Sequence, residues 1–207
     1  MTIKQETFPF ARADESQKNA IVILKDGTDD ESFYALRWVL KARSEASEMM
    51  HLCSVHHDGE GVFVATDGHR LHLAEIEALT ERIPAGIWLY VHGDKKKLSL
   101  KEAPEGICKY PNYSALLDLS ENHKKRGFID HLDGDESATV WRYWDLVGVK
   151  CNIEYLIDVL DGTGGMEVYA DDPRPGIVTG RDPLPLIFYS GSGEGITRKA
   201  LIMPLKG

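Results

Sequence analysis

Two tight turns lying close together fix the middle of this chain. Asp58-Gly59-Glu60 and Thr66-Asp67-Gly68 each put a glycine between residues that favour turns. The flanking stretches, residues 51–57, 61–66 and 70–76, read as strands with a period of two, clearest where Arg70, Leu71, His72 and Leu73 alternate polar and apolar. Strands joined by turns this short can only run antiparallel, so the chain must build around an antiparallel meander.

The same style continues on both sides. Ala20–Leu24 reads as a strand, and further strands are expected near 86–92, 96–101, 106–110, 127–132, 138–144, up to about Lys150, 166–170, 176–180, 184–190 and 198–203. Helical periodicity shows in two places. From Asp30 to Met50, residues Leu36, Val39, Ala42, Ala46 and Met49 share one face, Thr28, Asp29 and Asp30 offer capping oxygens, and Arg37 and Lys41 share another stripe. From Ile153 to Leu160 a short helix is expected, capped by Asn152 and stopped at Asp161-Gly162. The fold class is α+β and strand-rich, with about two helices.

Composition excludes several classes. The 207 residues carry 43% hydrophobic and 28% charged side chains, ordinary for a globular protein with a substantial core. No run reaches the roughly 18 apolar residues of a membrane span, and MTIKQETFPFARADE has no apolar signal core, so a cytoplasmic location is expected. Residues 1–19 form a polar lead-in. Cys53, Cys108 and Cys151 are widely spaced and read as reduced thiols. A net charge of −9 argues against a wholly basic nucleic-acid binder, but leaves room for local cation clusters at Lys95-Lys96-Lys97, at His123-Lys124-Lys125-Arg126, and at Arg37 with Lys41 and Arg43.

Catalytic signatures are missing. There is no Walker A loop, and Gly191-Ser192-Gly193-Glu194-Gly195 lies between two expected strands with no helix to hold a phosphate. Asp130, Asp133, Asp135 and Glu136 do not have calcium-loop spacing. No nucleophile elbow is present. Five of the eight histidines fall between His51 and His72 and keep one alternative open, a small metal-dependent enzyme, although His56 and His57, like His69 and His72, should point to opposite strand faces.

Four segments, in order, resemble landmarks of the bacterial DNA polymerase III beta subunit, the sliding clamp. They are Ala65-Thr66-Asp67-Gly68-His69-Arg70-Leu71, Tyr110-Pro111-Asn112-Tyr113-Ser114-Ala115-Leu116-Leu117, Asn152–Leu160, and Leu201-Ile202-Met203-Pro204-Leu205. The resemblance covers about residues 20–207. It implies a DNA-clamp-like fold in two domains, residues 20–117 and 118–207, similar to the family's middle and last domains. It further implies no catalysis and no cofactor, and a pocket for short linear motifs of DNA polymerases, clamp loaders or repair proteins.

The pocket residues so implied are Thr66, Gly68, His69, Arg70, Leu71, Pro111, Ala115, Leu116, Leu201, Ile202, Met203, Pro204 and Leu205. Gly68 allows the turn, His69 and Arg70 offer polar rims, the apolar residues offer lining, and pliable Met203 suits related peptides. Arg37, Lys41 and Arg43 would face double-stranded DNA without base readout. Each family domain presents two helices to DNA, whereas no second helix is apparent over 84–111 and no first helix over 118–142. A six-domain ring would need three copies of this chain. A variant is a peptide-binding module that does not encircle DNA.

Overall fold

The computed structural model describes residues 20–25, 30–45, 49–104, 106, 109–118, 123–130, 135–171, 184–191 and 195–205. Among these residues ten strands form one antiparallel sheet: β1 (Ala20–Leu24), β2 (Ser54–His57), β3 (Val62–Thr66), β4 (Arg70–Glu75), β5 (Gly86–Gly93), β6 (Lys97–Glu102), β7 (His123–Ile129), β8 (Met166–Asp171), β9 (Leu186–Ser190) and β10 (Arg198–Ile202). Their order is β1-β6-β5-β2-β3-β4-β10-β9-β8-β7. The first half of the chain thus fills one side of the sheet and the second half the other. They meet where β4 pairs with β10, Leu71 opposite Leu201.

Among the described residues four helical segments of α type accompany it: α1 (Asp30–Leu40), α2 (Ser114–Leu117, a single turn), α3 (Glu136–Leu146) and α4 (Ile153–Leu160). Helices α1, α3 and α4 lie on one face, here the inner face. Phe33, Leu36 and Val39 of α1, Tyr143 of α3, and Leu156 and Val159 of α4 share one core with Phe63, Ala74, Phe188 and Ile202 of the sheet. The outer face carries a smaller cluster of Val64, Leu71, Leu73, Leu201 and Tyr110.

The expected strands at 20–24, 61–66, 70–76, 86–92, 96–101, 166–170, 184–190 and 198–203 are present with small shifts at their ends. Other expectations need correction. α1 stops at Leu40, ten residues early. Its period runs on as tighter turns, Lys41 N to Trp38 O through Arg43 N to Leu40 O, until Ser44 N donates instead to Leu52 O at 2.6 Å. The chain is captured there by the segment leading into β2.

The largest correction concerns 138–144, expected as a strand and found inside α3. The β-favouring run Val140-Trp141-Arg142-Tyr143-Trp144 suggested a strand. Local chemistry overrides it: the Asp135 carboxylate accepts from Ala138 N at 2.9 Å as an N-cap, and Thr139, Tyr143 and Val147 bury one stripe at four-residue spacing. The second half therefore keeps the helix thought lost between 118 and 142. The strand expected near 127–132 spans His123–Ile129, none is found at 109–110 or leading up to Lys150, and 176–180 lie outside the described residues.

Candidate functional site

Strand pleat sorts the implied pocket residues between two faces. Leu71 and Leu201 are cross-strand partners with 3% and 4% exposure, and both belong to the outer-face cluster. Thr66 opposes Leu71 and shares that face. The turn beyond is held by its own side chains. Thr66 Oγ1 accepts from Gly68 N at 3.0 Å and donates to Arg70 O at 2.6 Å, while Asp67 Oδ1 accepts from the amides of His69 and Arg70. Gly68 at φ +91° supplies the left-handed turn and leaves His69 exposed.

The tail after β10 continues along this turn. Met203 N donates to His69 O at 2.8 Å, and Leu205 N donates to Lys150 O at 2.9 Å across Pro204, which has no N–H to give. Met203 and Leu205 stay 40% and 53% exposed. On the other side, Tyr110 anchors the connecting segment by donating to Val64 O at 3.2 Å and stacking on His56 at 4.9 Å. That leads into α2, which packs against β10. Pro111, Ala115 and Leu116 remain exposed, while Tyr113 and Leu117 pack on the outer cluster. On the outer face Leu71 and Leu201 are thus covered by Tyr110, Tyr113 and Leu117, while Pro111, Ala115, Leu116 and Met203 stay exposed.

Arg70 and Ile202 are placed elsewhere. Both point to the inner face, where Ile202 joins the main core. The Arg70 guanidinium bonds Asp67 at 3.1 Å and Asp158 at 2.5 Å, and lies 4.3 Å from the Tyr155 ring. Asp158 also takes Lys41 at 3.2 Å, and Lys41 is further paired with Asp161. Nothing in the sequence ties Arg70 to Asp158 and Tyr155, which lie on a helix of the other half.

Arg37, Lys41 and Arg43 share one inner-face cleft of about 330 Å³ with Arg70, Tyr90 and Asp158. The Arg43 guanidinium lies 4.2 Å from the Tyr90 ring and 3.8 Å from Glu45. Arg37 sits over Phe33 at 5.8 Å and has no ion pair among the described residues.

The five clustered histidines disperse. His56 faces outward onto Tyr110, and burial lowers its pKa. His57 stacks on Phe63 and its Nε2 accepts from Gly61 N. His72 is fully buried, stacks on Trp38 at 4.3 Å and donates from Nδ1 to Trp38 O at 2.8 Å. Burial, reinforced by the nearby Arg70 and Lys41 cations, lowers its pKa to about 3 against the pull of that hydrogen bond and of Asp158. Among the described residues no group of three or more His, Cys, Asp or Glu could hold a metal ion. No described helix is long and apolar enough to cross a membrane.

No protein-family model matches the sequence, and no curated protein is similar to it. Solved structures do match. The beta subunit of DNA polymerase from Streptococcus pyogenes has a TM-score of 0.52 at 13% identity, over 91% of this chain and 66% of that one. The DNA polymerase III beta subunit of Thermotoga maritima has 0.51 at 12%, over 100% and 70%. The beta sliding clamp of C. crescentus, solved with polyethylene glycol at a region assigned to beta-motif tethering, has 0.51 at 15%, over 91% and 65%. The chain spans about two thirds of the length of these subunits. At such identities the likeness is one of fold: this is the α+β fold of the polymerase III sliding clamp in shortened form.

Proposed function

We propose that this chain is a non-catalytic, two-domain clamp-like tether, with domains at 20–117 and 118–207, that binds short linear motifs of DNA polymerases, clamp loaders or repair proteins in the outer-face groove. The observation that carries the reading is the pairing of Leu71 with Leu201 on the outer face, with exposed Pro111 and Leu116 in and beside the helical turn that packs against β10 and exposed Met203 directly after β10. Leucines with a pliable methionine suit Leu or Phe anchors of an extended peptide.

Titration of a fluorescein-labelled clamp-binding peptide against the full chain tests it. Micromolar binding is expected, weakened about tenfold or more by Met203→Ala with Pro204→Ala, the loss typical of a central anchor contact. A well-folded wild type that leaves the peptide free at about 1 mM protein (weaker than roughly −4 kcal/mol) refutes the groove.

On the inner face, Arg37, Lys41 and Arg43 would meet DNA phosphates in a ring of three copies. A second reading, a tether that does not encircle DNA, is favoured by the engagement of Lys41 with Asp158 and Asp161 and of Arg70 with Asp67 and Asp158. Much of the cleft's positive charge is spent internally. Light scattering separates the two: a stable trimer supports the ring, and a monomer supports the simple tether.

A further inference from the structure

A second cleft, of about 310 Å³, opens at the ends of four neighbouring strands. Arg198 of β10, Ser190 of β9, Glu167 of β8 and Phe128 of β7 line it, with Glu31 of α1 beside them. That volume is within the range of small-molecule sites. The cleft shares no lining residue with the one that holds Arg37, Lys41 and Arg43, nor with the outer-face peptide site.

Arg198 is its unusual member. As the first residue of β10 it opposes Ala74 of the main core, so its side chain leaves the sheet on the inner face. It is only 8% exposed. Among the described residues its guanidinium nevertheless makes no hydrogen bond and no ion pair, and its Nε is closed off from solvent. Burial lowers its pKa, and the field of Glu31 opposes that without bringing the two groups within 4.0 Å. A guanidinium taken out of water keeps its charge and loses its hydration, a cost that folded chains normally offset with a carboxylate. Here the group faces the cleft instead.

Glu31 shows the same feature with the opposite sign. It is exposed, accepts from Ile196 N at 3.4 Å and has no ion pair among the described residues. Glu167 is already held by Lys125 and by the Tyr169 hydroxyl, which donates to it at 2.8 Å. The described walls thus carry one cation, Arg198, and one anion, Glu31, each without a counter-ion. The far end is aromatic. Phe128 is 45% exposed, and Gly165 at φ +119° lets its ring pack on the loop before β8, where a Cβ would lie 2.7 Å from that ring. Three strand spacings separate β10 from β7, about 14 Å at roughly 4.8 Å each.

We propose that this cleft binds a small zwitterion, an α-amino acid with an aromatic side chain. The planar guanidinium of Arg198 takes the carboxylate, assisted by the hydroxyl of Ser190, its cross-strand partner on the same face. Glu31 takes the ammonium, and the ring lies towards Phe128. A plain anion would be repelled by Glu31 and a plain cation by Arg198, so the charge pattern selects a ligand that carries both. Glu31 belongs to the first half of the chain and Arg198 to the second, so the bound ligand also ties α1 to β10.

Calorimetric titration and thermal unfolding of the full chain with L-phenylalanine test this. A Kd below about 1 mM is expected, with Tm rising by about 3–6 °C at tenfold excess over Kd. 3-Phenylpropionate lacks the ammonium and phenethylamine lacks the carboxylate, so each should bind at least tenfold more weakly. R198M keeps the buried stem without the charge, and should lose at least tenfold in L-phenylalanine affinity while the ligand-free Tm holds or rises. E31Q should lose as much for L-phenylalanine and nothing for 3-phenylpropionate. No heat and no Tm shift with L-phenylalanine at about 10 mM overturns the proposal. Binding of 3-phenylpropionate as tight as that of L-phenylalanine overturns it too, leaving a simple anion site. Should R198M fail to fold, E31Q decides, because Glu31 is exposed: a loss confined to ligands with an ammonium upholds the zwitterion, and an unchanged affinity refutes it. The labelled clamp-binding peptide should bind equally well with and without L-phenylalanine, so the two sites stand or fall separately.

Discussion

Replacing His72 with Phe should remove most of one acid-sensitive component of stability. The His72 ring is fully buried against Trp38 and its folded pKa lies near 3, while an unfolded histidine titrates near about 6.5. Above about pH 6.5 neither state binds the proton and the group costs nothing. As pH falls below that value the unfolded chain takes up a proton that the folded state refuses, so stability drops until the folded pKa is reached. Between pH 7 and pH 5 the linkage amounts to about 2 kcal/mol, and any folded pKa below about 4 gives nearly the same figure. Denaturant unfolding at both pH values reads it directly. His72→Phe keeps the stack but lacks the Nδ1–H that bonds Trp38 O at 2.8 Å, so it should start about 1–2 kcal/mol less stable at pH 7. From there it should lose about 2 kcal/mol less than wild type on going to pH 5. Carboxylates and the outward-facing His56 are common to both proteins and cancel. Equal losses in the two proteins would show that His72 is not held neutral in the fold.

Trp38→Phe should cost about 2 kcal/mol, because it deletes the buried 2.9 Å bond from Trp38 Nε1 to Val159 O that ties α1 to α4; calorimetry should show Tm falling roughly 4–8 °C, and an unchanged Tm would mean the bond contributes nothing net. Gly68→Ala should cost about 1–2 kcal/mol from its positive φ alone, since a Cβ there meets nothing within 4 Å; a much larger loss in urea unfolding would contradict that open turn. Asp158→Asn should release Arg70 and Lys41 from their shared carboxylate. Anisotropy with duplex DNA at 50 mM salt should then show tighter binding that fades by about 200 mM, and unchanged binding would remove the inner cleft from consideration as the DNA surface.

Much of the fold was legible because antiparallel strands announce themselves locally. Asp58-Gly59-Glu60 and Thr66-Asp67-Gly68 sit where hairpin turns must, and the glycines at 59 and 68 adopt the positive φ that such turns need. The Asn152 cap and the stop at Asp161-Gly162 bounded α4 because both signals are chemical and local. α3 was misread for the opposite reason. Its signal is a three-residue buried stripe, Thr139, Tyr143 and Val147, set in a run of β-favouring aromatics, and only its packing against β7 beside the main core makes the helical period the one that matters. The end of α1 was not local at all. It depends on Leu52 O reaching Ser44 N, a pairing set by where β2 must begin.

The residues that the sequence groups as one candidate site are divided by the pleat between two faces. Thr66, Arg70 and Leu71 were grouped because they are contiguous, yet the pleat sends Arg70 to the opposite side from Leu71, and Ile202, paired with Arg70, goes with it. One short motif therefore serves two surfaces. Its odd positions at the seam, Leu71 with Leu201, join the buried outer-face cluster, while Arg70 closes a bridge to Asp158 and Tyr155 from the other half. That division gives the linear motif a physical reason to be contiguous. The turn at Gly68 must be tight enough to bring Met203 N onto His69 O, and the same tightness aims Arg70 Nε at Asp67. The Met203 attachment and the inter-half brace are built from one turn, so a change that loosens the brace should also displace the His69 carbonyl that Met203 N bonds.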